Sequence, residues 1–146
     1  MKALLQRVSS GSVSISGKVK GQIGPGLVIL LGIKTGDSEE DARFLAEKCL
    51  NLRIFSDRDG KFNLSCQDVA GEILVVSQFT LYGNTTKGRR PSFIEAARPE
   101  VSQPLYEKFV EYLQESALKV ETGQFGAMMQ VEIKNDGPVT LMLESR

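Results

Sequence analysis

The chain of 146 residues contains no histidine. That absence removes the Ser-His-Asp and Cys-His nucleophile–base pairs and the imidazole ligands on which most zinc sites depend. Cysteine is scarce as well. Cys49 and Cys66 are too few and too far apart in the sequence for a disulfide framework or a Cys-x-x-Cys pair. Together with scattered carboxylates they make no tetrahedral nitrogen/sulfur cage, which removes the common zinc sites; a reducing, cytoplasmic setting is expected. Long hydrophobic runs are missing too. The longest, Leu27 to Ile33, falls far short of the roughly 20 residues that span a bilayer. The opening stretch alternates apolar and polar residues and lacks the apolar run and cleavage site of a leader, so no membrane association or export is expected. Finally, no sign of charge predominates: 18 basic side chains balance 18 acidic ones. Proteins that grip nucleic acid chiefly through phosphates are more basic, so no DNA partner is expected and any RNA contact should be local.

What is present is ordinary soluble-domain material, 41% hydrophobic and 25% charged. The length suits one domain over residues 1–146 and buries most of its apolar surface without cross-links. Residues 2 to 8 read as a strand. Residues 12 to 16 alternate with period two, as a half-buried strand does, and Gly17-Lys18 turns the chain into a strand over 19–23. Leu27 to Ile33 and Ile73 to Val76 are continuous apolar runs typical of strands buried on both faces. Between them, Ala42, Leu45, Ala46, Cys49 and Leu50 form one apolar helical stripe. Asp37 or Ser38 caps it, and Glu39, Glu40 and Asp41 suit its positive end. Leu52 to Phe55 reads as a short strand and residues 83 to 99 as a long loop. A second helix, capped by Ser102, places Leu105, Phe109, Tyr112 and Leu113 on one face. Strands follow over 119–121, 131–134 and 139–144. The expected fold class is α+β: a mostly antiparallel rolled sheet or barrel of about eight or nine strands with two main helices.

Two segments could hold chemistry. Ser77-Gln78-Phe79-Thr80 ends a buried strand, where hydroxyls and backbone N–H groups can meet a ligand. Alternation would set Ser77 and Phe79 on one face and Gln78 and Thr80 on the other; the plainer alternative is a strand emerging into solvent. Asn135-Asp136-Gly137-Pro138-Val139-Thr140 is a strong turn signal. Its plain reading is a hairpin turn, yet Gly137 permits close backbone approach and a Gly–Pro bond can be held cis. Lys87, Arg89 and Arg90 in the long loop could touch phosphates or simply be solvated. Phe125 to Met129 could be core and turn, or could stack on a base.

Taken together, MKALLQRVSSGSVSI at the start, SQFTLYG at 77–83, KGRRPSF at 87–93, FGAMMQV at 125–131 and NDGPVT at 135–140 resemble the D-aminoacyl-tRNA deacylase family over nearly the whole chain. The resemblance implies a homodimer whose two active sites lie at the subunit interface, with tRNA bearing an aminoacylated 3′ end as partner and no cofactor. It implies that Ser77, Gln78, Phe79 and Thr80 form the catalytic segment. It further implies that Gly137, Pro138, Val139 and Thr140 hold substrate, with Gly137-Pro138, its Gly–Pro bond cis, reaching in from the other subunit, and that Phe125 and Met129 stand near the terminal adenosine. No metal is expected. Lys87, Arg89 and Arg90 of the basic loop are the candidates for contact with tRNA.

Physics makes that division of labour workable. A site that separates D from L must read the substituents at Cα. Backbone carbonyls at Gly137-Pro138 can accept from the α-ammonium and stand where an L side chain would run, a steric rejection. Glycyl-tRNA, with no side chain to clash, should be cleaved to some extent. Backbone N–H groups at Phe79 and Thr80 would stabilise the oxyanion. Without histidine, water is activated by the 2′-hydroxyl of the tRNA, or else Thr80 is a covalent nucleophile. An RNA-binding module without catalysis and a small-ligand β-barrel are the rival classes.

Overall fold

A computed structural model describes residues 1–146. The chain runs β1 (Lys2–Ile15), β2 (Lys18–Ile23), β3 (Gly26–Gly32), α1 (Glu39–Asn51), β4 (Phe55–Ser56), β5 (Phe62–Leu64) and β6 (Glu72–Ser77). A short 3-10 helix (Phe79–Tyr82), α2 (Pro99–Gln114), β7 (Val120–Thr122) and β8 (Gln130–Glu144) follow. The eight strands and two α-helices match the expected class.

β1 organises the sheet. Along one edge it pairs antiparallel with β8, and along the other with β3 through Lys2–Val8 and then with β2 through Gly11–Ile15. β3 and β6 run parallel, with Leu31 opposite Ser77, and β6 runs parallel to β7. The ends of the path approach one another and nearly close a barrel. Lys119 Nζ donates to Gln22 O at 3.0 Å, and a Cβ on Gly21 would lie 3.0 Å from Thr122 O.

The continuous apolar runs follow from this closure. On β3 and β6, Leu27, Ile29, Leu31, Ile73 and Val75 face the helices, while Val28, Leu74 and Val76 face the barrel interior. Both faces of these strands are buried, so no polar alternation survives. α1 is held at its start by a capping box between Ser38 and Asp41, and it buries Ala42, Leu45, Ala46 and Cys49 against the sheet. α2 buries Phe109 and Leu113 completely. Truncating Phe109 to alanine would cost about 3–5 kcal/mol. No helix is long and apolar enough to cross a membrane.

Several boundaries differ from the sequence reading. Residues 2–8 and 12–16 are one strand of 14 residues with a register shift at its β2 pairing. The hairpin turn is Ser16-Gly17, both at positive φ, and the strand expected from Leu52 begins only at Phe55. Ser102 does not cap α2. The helix starts at Pro99, where proline's fixed φ is accommodated, and the Ser102 hydroxyl donates to Arg98 O at 3.1 Å inside the first turn. The segment 135–138 is not a hairpin turn: β8 runs through it, and its pairing with β1 slips between Gln6 and Val8 and again between Val8 and Ser10. Asn-Asp-Gly-Pro here makes a bulge in one long strand, the other setting in which these residues escape the ladder.

Candidate active site

Where β6 ends, its ladder with β3 ends too. Gln78 N donates to Leu31 O at 2.8 Å, and the chain then tightens into the 3-10 helix. Leu81 N donates to Gln78 O at 3.3 Å and Gly83 N to Thr80 O at 2.9 Å. Gly32 makes room for that turn, since a Cβ there would lie 3.0 Å from Leu81 Cβ and 3.1 Å from Gln78 O. The N–H groups of Phe79 and Thr80 precede the first internal bond of the helix, so they are unused donors at its start. The helical turn overturns the alternation expected across Ser77–Thr80, because the strand stops at Ser77.

A cavity of about 690 Å³ opens beside this turn. Ser77, Gln78 and Phe79 form one wall, Phe93 and Ala97 from the long loop a second, and Phe125 to Met129 a third. Tyr106 of α2 steadies the third wall: its hydroxyl donates to Val75 O at 3.0 Å, and its ring centroid lies 5.7 Å from that of Phe125. Burial pushes the Tyr106 phenol above its ordinary range, so it stays a neutral donor. Gly126, at φ +77°, and the bond from Ala127 N to Gln124 O at 3.1 Å fold residues 124–127 into a turn. The polar side chains lining the cavity are Ser77, Gln78 and Ser102; no acid, base, thiol or phenol is among the lining residues.

The sequence-predicted residues are distributed unevenly. Ser77, Gln78, Phe79, Phe125 and Met129 share the cavity. Thr80 lies outside it, exposed, with its Oγ accepting a hydrogen bond from the Gln78 amide. Met129 is half-buried and packs on the barrel core, whereas Met128 is 91% exposed at the cavity rim. Lys87, Arg89 and Arg90 are exposed in a loop whose base is closed by paired bonds between Asn84 and Ser92. Gly137 and Pro138, joined by a cis bond, do not reach this cavity. They lie on β8, beyond β1 and β3 from β6, both exposed, with Thr140 exposed and Val139 buried nearby.

Arg7 and Asn135 brace that bulge, and the sequence gives no hint of the partnership. Arg7 Nε donates to Asp136 O at 3.2 Å and Nη1 to Ile54 O at 2.7 Å, a junction of three distant segments. Asn135 Nδ2 donates to Arg7 O at 3.2 Å and to Val139 O at 3.0 Å. In the cavity wall, Ala97 carries no sequence signal, Phe93 is marked only as part of KGRRPSF, and Ser102 only as an expected helix cap. Cys49 and Cys66 are fully buried, and burial pushes the Cys66 thiol up to about 12, so neither presents a thiolate. No three acidic or thiol side chains cluster as a metal would need.

The family model described as D-Tyr-tRNA(Tyr) deacylase matches residues 4–144. The chain belongs to that family. A protein of Dehalococcoides mccartyi named D-aminoacyl-tRNA deacylase is 61% identical to it over 100% of this chain and 95% of the relative. A protein of the same name from Carboxydothermus hydrogenoformans is 58% identical over 99% of each. Among solved structures, one titled c-Myc DNA Unwinding Element Binding Protein superposes with a TM-score of 0.94 at 43% identity, covering 100% of this chain and 99% of that one. A probable eukaryotic D-amino acid tRNA deacylase superposes at 0.87 over 98% of each chain, and at 18% identity it speaks to the fold alone. The deacylase family membership and the nearly closed barrel therefore agree.

Proposed function

We propose that residues 1–146 act as one domain that hydrolyses the ester of D-aminoacyl-tRNA, releasing free D-amino acid and tRNA in the cytoplasm. Family membership supports the activity. The observation that carries the mechanism is a cavity with no titratable side chain in its lining, walled by Phe79 at the start of a 3-10 helix whose first N–H groups are unused. The N–H groups of Phe79 and Thr80 bind the oxyanion of the tetrahedral intermediate, each worth about 10²–10³-fold in rate. The water oxygen bonds to the ester carbon, and its proton passes through the ribose 2′-hydroxyl to the departing 3′-oxygen. Substrate thus supplies the base that the cavity lacks. Thr80 as a covalent nucleophile fits less well, because its hydroxyl lies outside the cavity and is engaged by Gln78.

Chirality is read by a second copy of the chain. Gly137 and Pro138 are exposed and remote from their own cavity, which supports a homodimer in which each bulge serves the other subunit's cavity. Their carbonyls accept from the α-ammonium and block an L side chain, while glycyl-tRNA is cleaved in part. Val139 and Thr140 hold the bulge in place. Phe125 and Met129 stand near the terminal adenosine, and Lys87, Arg89 and Arg90 touch tRNA phosphates without sequence preference. No cofactor is required.

Release of amino acid from D-Tyr-tRNA and L-Tyr-tRNA, each with and without a chelator, tests this reading. Rapid cleavage of the D ester alone, indifferent to chelator, is expected. Protection of both esters would instead mark an RNA-binding module and end the proposal.

A further inference from the structure

We propose that Phe93 is a positioning residue that sets the oxyanion donors at Phe79 and Thr80. The inference rests on the reading above and adds to it a residue outside the catalytic segment. The 3-10 helix that presents the donors is four residues long and is tied by few bonds of its own. Beneath it, Gly32 and Leu81 fit closely. On its outer side Phe79 is 55% exposed, and its aromatic partner is Phe93. The two centroids lie 5.0 Å apart at an interplanar angle of 70°, an edge-to-face contact that fixes orientation as well as distance.

Phe93 is itself held from two directions. A Cβ on Gly83 would lie 3.0 Å from Phe93 Cε1, so the glycine that closes the 3-10 helix also seats the ring. Asn84 and Ser92 exchange two backbone hydrogen bonds, of 2.8 and 2.9 Å, one residue beyond Gly83 and one before Phe93. Ala96 N donates to Phe93 O at 3.1 Å on the far side. The ring therefore stands at the base of the loop bearing Lys87, Arg89 and Arg90, with its backbone fixed on both sides. Losing the ring would let Phe79 rotate into the space left, carrying the donor pair away from the carbonyl oxygen. A displacement of about 1 Å at a reacting centre is enough to cost about 10²-fold in rate.

Steady-state kinetics on D-Tyr-tRNA with Phe93→Ala and Phe93→Tyr test the proposal, each corrected for folded fraction by circular dichroism. The alanine variant should lose about 10- to 10²-fold in kcat with KM nearly unchanged, and tyrosine, which keeps the ring, should restore most of the rate. Should Phe93→Ala fail to fold, Phe93→Leu, which keeps bulk without a ring edge, is read in the same way. A raised KM with kcat intact would mean that the ring is only a wall touching substrate, and it would overturn the proposal. So would a kcat unchanged once unfolded protein is discounted. Native protein inert toward D-Tyr-tRNA is a separate result, which would remove the parent reading and this one with it.

Discussion

Ser77, Gln78 and Phe79 follow four consecutive buried residues, Ile73 to Val76, each at most 1% exposed. Gly137 and Pro138 sit midway along β8, exposed, in a stretch where the ladder to β1 slips twice. Both segments interrupt the regular pairing of the sheet. One inherits its position from the core of the barrel and opens onto a cavity of its own. The other is braced by Arg7 and Asn135, is exposed, and does not line that cavity. On the proposed reading the two segments are halves of one site, brought together in a dimer. The deep half can do chemistry, and the exposed half can select what enters another copy.

The comparison can be broken first at the deep half. Phe79→Pro removes one oxyanion donor at a residue whose position at the helix start suits proline, and Gln78 before it is already non-helical. D-Tyr-tRNA hydrolysis should fall by about 10²–10³-fold, with the barrel still folded by circular dichroism. The exposed half is next. Gly137 has φ +126°, and an added Cβ would lie 2.8 Å from Val139 Cγ2 and 3.1 Å from Arg7 Nη2. Gly137→Ala should therefore displace the selector and cost about 10²-fold in rate. Its melting temperature should fall by only a few degrees, since about 1 kcal/mol corresponds to roughly 2–4 °C at this size. An unchanged rate would detach the bulge from function.

Thr80→Ala should have a smaller effect, under about 10-fold, because the backbone donor survives. Abolished turnover with binding retained, read by filter binding of D-Tyr-tRNA, would restore the covalent nucleophile. The smallest effect belongs to the closed end of the barrel, remote from the cavity. There Gly24 N donates to Glu72 Oε2 at 2.9 Å and Lys119 Nζ stands 3.3 Å from it, which together hold the carboxyl below its ordinary range. A depressed folded value means stability present above the unfolded range, near pH 4.5, and lost as pH falls through the folded one. The group is partly exposed, so the loss should be below about 1 kcal/mol. Glu72→Gln should flatten the acid limb of the melting curve between roughly pH 5 and 3 and leave kcat untouched.

Much of the scaffold was legible because hydrophobic period maps directly onto burial. Leu27 to Ile33 and Ile73 to Val76 announced strands covered on both faces, and the stripe from Ala42 to Leu50 announced α1. What was not legible depends on distant partners. Asn135-Asp136-Gly137-Pro138 has the local chemistry of a turn, and only its pairing with β1 makes it a bulge within a continuous strand. The 3-10 helix after Ser77 depends on Gly32, 45 residues earlier in the sequence, giving way beneath Leu81. Phe93 and Arg7 fall inside matched segments, KGRRPSF and MKALLQRVSSGSVSI, but neither segment reveals their contacts, which cross the chain. Met128 and Met129 are adjacent in sequence, and the turn at Gly126 decides which of them faces solvent.

Subunit mixing tests the divided site most directly. Phe79→Pro and Gly137→Ala chains, given different tags, would be co-expressed and the mixed dimer isolated. In that dimer one cavity has intact donors and an intact bulge from its partner, so about half the native rate per dimer should return although each parent is nearly inactive. A mixed dimer as inactive as its parents would contradict the account and place both halves of the site within one chain.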